Sequence, residues 1–215
     1  MELLSYLLSE AVEGVVMSIK KIIIGLMLSL LLGSGVASAA DFAKGLAAFR
    51  SGNHKTAIAE WTPLAEQGHA KAQYNLGLMY SFGWGVLKND KTSLEWYTKA
   101  AEQGDKHSQF MLGSIYRTGQ IVLKNHKTSV TWLTKAAEQG HAEAQSFLGY
   151  NYELGLGVLK DHRRAYMWRN LANYNNGDSS AGVWRDELAK QMTQVDISRA
   201  QDMSSRCLES NYTDC

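Results

Sequence analysis

A period of 36 residues constrains the fold of this chain more than any other feature of its 215-residue sequence. The tripeptide Glu-Gln-Gly ends at Gly68, Gly104 and Gly140, so consecutive copies are 36 residues apart. Other positions that keep the same step are Gln73, Gln109 and Gln145; Gly77, Gly113 and Gly149; Tyr80, Tyr116 and Tyr152; Trp96, Trp132 and Trp168; and Ala100, Ala136 and Ala172. So many positions with one period predict a stack of similar units, each burying its apolar face against its neighbours.

Each unit is predicted to contain two helices. Ala72, Leu76 and Tyr80 recur at helical spacing and share one face of a helix over residues 71–81. The second helix follows a glycine-containing loop and stops at Gly104, a residue type that favours helix C-termini. Side chains that can accept hydrogen bonds from the open N–H groups of a helix start precede this second helix in every unit, at Asn53, Asn89, Asn125 and Asp161.

Three segments of the first full unit, 72–80, 83–86 and 96–104, resemble a Sel-one-like repeat (SLR), a relative of the tetratricopeptide repeat (TPR). The departures are mild: Ile121 replaces the second loop glycine and Ser108 replaces the first alanine. The resemblance implies an all-α fold, a right-handed α-solenoid of stacked antiparallel helix pairs with a concave face lined by the first helices. The expected parts are a TPR-like unit at 40–69, SLR units at 70–105, 106–141 and 142–176, and capping helices with a Cys-closed tail at 177–215.

Residues 1–39 have the features of a secretory signal peptide. From Met17, two lysines precede an apolar run at 22–32, and small residues at 37–39 suit a signal peptidase. We expect cleavage after residue 39, with translation starting at Met17 or at Met1. An uncleaved anchor is the alternative, although an apolar run of about 11 residues is short for a bilayer-spanning helix. The predicted location is the periplasm or the outside of the cell.

Cys207 and Cys215 are the two cysteines of the chain, and both lie in its last nine residues. At the end of an exported chain, this pair is predicted to form a disulfide that holds the tail in place. A metal or redox site is the alternative, but no histidine is near and there is no C-x-x-C motif.

Composition excludes one class of partner. The chain has 22 basic and 21 acidic side chains, so its bulk charge does not predict binding to nucleic acid or to an anionic membrane. No segment after the signal peptide approaches the length of a transmembrane helix. We therefore expect no contact with a membrane once the signal peptide is removed; the chain is also expected to be a monomer.

The groove that the resemblance implies is predicted from residues of the first helices that vary between units. Its N-terminal half is expected to be aromatic and aliphatic, and its C-terminal half polar and charged. Packing against the next unit is the alternative for each side chain. The candidates are Phe42, Leu46, Phe49, Tyr74, Leu78, Phe110, Ser114, Arg117, Tyr150 and Glu153.

Other conspicuous side chains are predicted to be structural. Histidines that share a repeat register lie one unit apart, too far to bind one metal ion, so surface positions near helix ends are expected. They are His54, His69, His107, His126, His141 and His162. The tryptophans with the 36-residue step are predicted to pack between helices. Lys88, Lys124 and Lys160 precede the N-caps and are predicted to be solvated, with a row of charge along one edge as the alternative.

The predicted function is a non-catalytic scaffold that binds a peptide or protein partner, with no catalytic residue, cofactor or metal. One alternative is a β-lactam- or cell-wall-acting enzyme of the cysteine-rich SLR type. Those relatives carry a cysteine pair in each repeat, whereas the repeats here have none, and the Ser-x-x-Lys element typical of such enzymes occurs only at 18–21. The other alternative is a glycan binder that uses Trp84 and Trp184.

Overall fold

The structure is a computed structural model that describes residues 40–176 and 179–215. The predicted signal peptide at 1–39, its alternative as an anchor and the Ser-x-x-Lys element at 18–21 lie outside the described residues. Residues 41–215 form one compact unit. Within the described part of the chain, no helix is both long enough and apolar enough to cross a membrane.

Helices make up the described ranges, and no strand occurs among these residues. In chain order they are α1 Phe42–Arg50, α2 His54–Glu66, α3 Ala70–Phe82, α4 Asp90–Glu102, α5 Lys106–Thr118, α6 His126–Ala137, α7 Ala142–Leu154, α8 His162–Asn176, α9 Ser179–Ala189 and α10 Gln194–Glu209. Each helix from α1 to α8 packs on the next, and α10 returns to pack on α8. The predicted all-α solenoid of stacked helix pairs is therefore confirmed.

The predicted N-caps occur at the start of the second helix of each unit, that is, at α2, α4, α6 and α8. The side-chain oxygens of Asn53, Asn89 and Asn125 each accept a hydrogen bond from the backbone N–H three residues later. Asp161 accepts from the backbone N–H groups of Arg163 and Arg164. These bonds satisfy N–H groups that a helix start leaves open, and they fix where each loop ends.

The glycine at the repeat position of Gly77 and Gly113 determines how closely the two helices of a unit approach each other. A Cβ atom on Gly77 would lie 2.5 Å from the Tyr97 ring, and one on Gly113 would lie 2.7 Å from the side chain of Leu133. The residue that fills the space over the glycine is thus Tyr97 in one unit and Leu133 in the next, and both are fully buried. The absent side chain allows this contact, as the close helix approach requires.

The tryptophan register is only partly buried. Trp96 and Trp132 pack at the margin of the core, and the ammonium groups of Lys99 and Lys135 lie 4.3 and 4.5 Å from their ring centroids. Of the three tryptophans in this register, only Trp168 is buried. The prediction that this register packs between helices holds fully for Trp168 alone, because the position one residue later points more directly at the facing helix.

A ladder of side-chain amides joins the two helices of each unit, and each unit to the one before it, on the edge where second helices end. Gln73 donates to the carbonyl oxygen of Ala65 in the preceding helix and accepts from Nε2 of Gln103 at 2.6 Å. The equivalent amide pairs are Gln139 with Gln109 at 2.8 Å and Asn175 with Gln145 at 2.8 Å. The buried end of each pair is thereby satisfied, and each unit is bonded to the next.

The C-terminal tail folds back on the repeats. Cys207 and Cys215 form the predicted disulfide. Between them, Asn211 and Tyr212 adopt positive φ angles of 52° and 67°, a left-handed turn that sends the tail back toward α8. The Tyr212 hydroxyl donates to Oδ1 of Asn175 at 2.7 Å, so the tail meets the last pair of the amide ladder.

Candidate functional site: the face of the first helices

The first helices α1, α3, α5 and α7 carry all the predicted groove residues, and we call the surface they form the groove face. At its N-terminal end, the predicted groove side chains mainly pack against other residues of the chain. The Phe42 ring stacks on His69 with centroids 5.0 Å apart, and Phe49 lies 5.8 Å from Trp61 and 5.4 Å from Trp84. Leu46 packs against the same core cluster. These side chains hold the first unit against the second.

The next stretch of the groove face is also half-buried. The Tyr74 ring lies 5.6 Å from the ring of His107 and 6.1 Å from that of Tyr97, and Leu78 packs beside it. Burial raises the pKa of Tyr74, with a smaller contribution from the nearby Asp105 carboxylate. Tyr74 therefore remains a neutral phenol that can donate or accept one hydrogen bond.

An aromatic chain follows, and it corrects one histidine prediction. The ring of His141 lies 5.1 Å from that of His107 and stacks on Phe110 at 4.6 Å, and Phe110 in turn stacks on Phe147 at 5.7 Å. His141 is only 8% exposed, so the expectation that it is a surface residue is wrong. It was missed because the rings of His107 and Phe110 on α5 cover this residue, a contact that its repeat position does not show; His141 is also the N-cap of α7.

Burial also sets the protonation of His141. Desolvation lowers its pKa, and the opposing attraction of the exposed Glu143 carboxylate does not compensate. In its neutral form, Nδ1 of His141 accepts the backbone N–H of Ala144 at 3.4 Å. Although two histidines are adjacent here, no group of three or more potential metal ligands occurs in the part of the chain that the structure describes.

A pocket of about 450 Å³ lies at the C-terminal end of the groove face, between α5, α7, α8 and α9, and we call it the end pocket. Its apolar wall is formed by Phe147, Tyr150, Leu154 and Trp184. The last three side chains are exposed, with Trp184 59% accessible. The C-terminal half of the groove face is thus more apolar than its predicted residues indicate, because Phe147, Leu154 and Trp184 were not among them.

Arg117 provides an uncompensated positive charge in the end pocket. Its guanidinium lies 4.4 Å from the ring centroid of Phe147, and it forms no ion pair with a described carboxylate. Its Nε is buried without a hydrogen-bond partner, and so is Oγ of Ser114 one turn earlier on α5. A buried donor without a partner is costly, and it is the kind of group that a ligand can satisfy.

A second arginine closes the floor of the pocket. Arg169 is 4% exposed, forms an ion pair with the carboxylate of Glu153 and donates to the carbonyl oxygen of Trp184 at 2.8 Å. Arg169 lies against Gly149, where the equivalent residues of earlier units are Tyr97 and Leu133. Because Arg169 already binds Glu153, that carboxylate is not available to Arg117, and the positive charge of Arg117 faces the pocket.

The structure brings together Arg117, Tyr150 and Glu153 of the predicted site, and Ser146, at the same repeat position as Phe42, Tyr74 and Phe110, also lines the pocket. Phe110 and Ser114 lie beside them, whereas Phe42, Leu46, Phe49, Tyr74 and Leu78 lie in earlier units. Arg169 was missed, although the sequence carries a signal for it. An arginine occupies the repeat position that holds an apolar residue in each of the two units before. Trp184 was considered only as a glycan contact, and Trp84 packs between Phe49 and Phe82.

Comparison with known sequences and structures identifies relatives. The sequence profile described as Sel1 repeat matches residues 70–105, 106–141 and 142–178. A crystal structure of a Sel1 repeat protein from Oxalobacter formigenes is 35% identical, with a TM-score of 0.63 over 66% of this chain and 58% of that chain. The protective antigen c5321 of uropathogenic Escherichia coli strains, which displays an SLR fold, is 28% identical, with a TM-score of 0.51 over 78% of this chain and 46% of that one.

The chain thus spans about half the length of the two solved structures. No curated protein matches it significantly.

Proposed function

We propose that this protein, which belongs to the Sel1 repeat family, holds a peptide segment of a protein partner in its end pocket. Sel1 repeats generally form non-catalytic scaffolds for protein interaction. The groove face offers shape and charge for binding. A monomeric state of the protein, with the partner bound on the groove face, is part of the same proposal.

The observation that carries the proposal is the combination of exposed apolar side chains with an unpaired arginine. Tyr150, Leu154 and Trp184 present apolar surface around a cavity, which suits an apolar anchor residue. Arg117 lies at the same cavity with no carboxylate of its own. A guanidinium favours bidentate pairing with a carboxylate, so the fitting ligand is a segment with an acidic side chain next to a large apolar one.

We further propose that the protein works in the periplasm or outside the cell. The signal-like segment at 1–39 supports export, and the disulfide between Cys207 and Cys215 is of the kind that persists in an oxidising compartment. The expected boundaries of the leading unit and of the capping region are part of the same proposal, with α1 and α2 as the leading helix pair and α9 and α10 as the cap.

A displayed library of random peptides tests the pocket while the natural partner is still unidentified. Peptides selected on the full chain are expected to share an Asp or Glu next to Leu, Phe or Trp. Arg117→Ala is expected to weaken a selected peptide about tenfold or more, since it removes a charged hydrogen bond. Tyr150→Ala tests the apolar wall in the same assay.

Arg50→Ala is the matched control, because Arg50 is an exposed arginine at the other end of the array. Circular dichroism verifies that each variant remains helical. Selected peptides without an acidic residue, or equal affinity of the Arg117 and Arg50 variants, would exclude the end pocket as the binding site.

A further inference from the structure

Three leucines in equivalent loops are almost completely exposed. Leu87, Leu123 and Leu159 are 91%, 92% and 90% accessible, and they follow one another at the 36-residue step. A single exposed leucine is ordinary, but three in one register form a repeated feature of the surface. Each is followed directly by a lysine, so the pair Leu-Lys occurs in all three full units.

Packing of the loops does not explain these leucines. The residue before each is a valine, and Val86 and Val122 pack against core clusters. The valine therefore anchors the loop while the leucine projects away from the protein. An outward leucine contributes nothing to the folded unit, because its apolar surface stays in water.

The three loops follow α3, α5 and α7 and therefore lie on one edge of the array. A Cβ atom on Gly85 would lie 2.8 Å from His54, and a Cβ atom on Gly157 would lie 2.4 Å from the carbonyl oxygen of His126. Each of these loops thus rests on the first residue of the second helix in the unit before it. Because His126 directly follows the loop that holds Leu123, this contact places Leu159 next to Leu123 along the edge.

The same edge is basic. Residues 87–91, 123–127 and 159–163 contain six basic and two acidic side chains, a net charge of +4. The opposite edge, at 66–70, 102–106 and 138–142, contains one basic and four acidic side chains, a net charge of −3. The near-neutral total of the chain conceals this separation. The expectation of no membrane contact rests on the bulk charge of the chain, and it therefore neglects the local positive charge of this edge.

The lysines are available to a partner. Lys88 lies 3.4 Å from Asp90, an exposed pair that salt screens. Lys124 and Lys160 are exposed and form no ion pair with a described residue. Alternating apolar and basic side chains of this kind suit the boundary of a bilayer, where leucine enters the acyl region and lysine remains among anionic headgroups.

We propose that this edge, which we call the Leu-Lys edge, binds an anionic lipid surface. The three leucines enter the interface, and Lys88, Lys124 and Lys160 lie at the headgroups. The Leu-Lys edge is formed by the loops that follow α3, α5 and α7, whereas the end pocket is lined by side chains of α5, α7, α8 and α9. The inference is independent of the proposed peptide ligand.

Fluorescent probes on the full chain test the orientation directly. A nitrobenzoxadiazole label is attached to Leu123→Cys or, as a control on the opposite edge, to Glu102→Cys; the native cysteines are paired and do not react. Vesicles of phosphatidylcholine with about one quarter phosphatidylglycerol are expected to raise the emission of the label at 123 and not at 102. Vesicles of phosphatidylcholine alone are expected to give at most a small change.

Charge-reversal variants measure the contribution of the lysines. Lys124→Glu with Lys160→Glu is expected to weaken vesicle binding about tenfold or more, because each basic residue near the anionic surface strengthens binding roughly fivefold. Leu87→Ser with Leu159→Ser is expected to weaken it similarly. Lys71→Glu with Lys135→Glu changes the net charge equally on the opposite edge and is expected to bind as the unmodified chain does.

Three results would overturn the proposal. Equal responses of the labels at 123 and 102 would mean that another part of the chain, such as residues 1–39, makes the contact. Unchanged binding of the Lys124 and Lys160 variant would exclude the Leu-Lys edge. An equal response of the label at 123 to soluble polyglutamate would indicate an acidic macromolecule in place of a lipid surface.

Discussion

Tyr212 donates its hydroxyl hydrogen to Oδ1 of Asn175, with 2.7 Å between the two oxygens. Asn175 in turn donates to Gln145 in the last pair of the amide ladder. The disulfide-closed tail is therefore bonded to the repeat array through one side chain. The Tyr212 ring also lies against the turn at Gly140, so the tail contacts both of the last two SLR units.

Removal of this hydroxyl is expected to loosen the tail. Tyr212→Phe is predicted to lower the free energy of unfolding by about 0.5–1 kcal/mol, the usual contribution of one hydrogen bond. Tyr174→Phe is the control, since Tyr174 is 70% exposed. Urea denaturation compares the two variants. A cost for Tyr174→Phe as large as for Tyr212→Phe would show that the bond to Asn175 does not stabilise the fold.

Reduction of the disulfide is expected to have a larger effect. The bond closes a loop of nine residues, Cys207 to Cys215, and loss of such a short loop lowers the free energy of unfolding by about 2–3 kcal/mol. Cys207 is fully buried and packs with Leu133 and Leu171, so its own side chain remains in the core after reduction. Urea midpoints with and without reductant measure the difference, and coincident midpoints would contradict the prediction.

The glycine between paired helices is expected to tolerate no methyl group where the facing side chain is rigid. Gly77→Ala brings Cβ to 2.5 Å from the Tyr97 ring. The overpacking costs about 1–3 kcal/mol and outweighs the roughly 1 kcal/mol gained in helix propensity. Gly113→Ala meets Cδ2 and Cγ of Leu133 at 2.7 Å and is expected to cost less, because this side chain can rotate away whereas an aromatic ring cannot. Denaturation of both variants checks the order, and the reverse order would refute this account of the close contact.

The buried ion pair under the end pocket predicts an asymmetry. Glu153→Ala leaves the charge of Arg169 buried without its partner and is expected to cost about 3–5 kcal/mol. Arg169→Leu is expected to cost less, because the same register holds Leu133 and Glu153 can turn toward solvent. The double variant should resemble Arg169→Leu. Urea denaturation of the three variants decides, and equal costs for both single changes would contradict the asymmetry.

Protonation of His141 is expected to destabilise the fold in acid. Burial lowers its folded pKa below the value of about 6.5 in an unfolded chain, so the unfolded state binds the proton more readily. The stabilisation is full above the unfolded pKa and is lost as pH falls through the folded pKa. His141→Asn keeps an N-cap without titrating, so its stability should depend less on pH in this range. His69→Asn, at an exposed position with the same capping role, is the matched control. Thermal melts across the pH range compare them.

The sequence predicts the repeating part of the structure well, for physical reasons visible in single residues. Asn89 is a good N-cap wherever it precedes an apolar helical pattern, and Gly77 marks a close approach by lacking a side chain. Both effects are local in the chain. Local chemistry that recurs every 36 residues therefore gives the element order and helix ends to within about two residues, the ordinary uncertainty of helix boundaries.

The end pocket was harder to predict because it depends on contacts between residues that are distant in sequence. Trp184 reaches the pocket only because α9 packs on α8, and no period describes that contact. His141 is buried through its ring neighbours on α5 and not through its own register. The burial of the tryptophan register was overestimated. Residue size and spacing indicate which face of a helix is buried, but not which of two adjacent residues lies at the centre of that face.

The amide ladder has a consequence for how this molecule could change length over evolution. Gln109 donates to the carbonyl oxygen of Ala101 and accepts from Gln139, and Gln73 makes the same two bonds with Ala65 and Gln103, so a duplicated unit inserted there would find equivalent partners. Asn175 breaks this equivalence, since its amide oxygen is occupied by the tail through Tyr212. The array can thus gain or lose internal units by recombination, whereas its last unit also carries the contact with the tail.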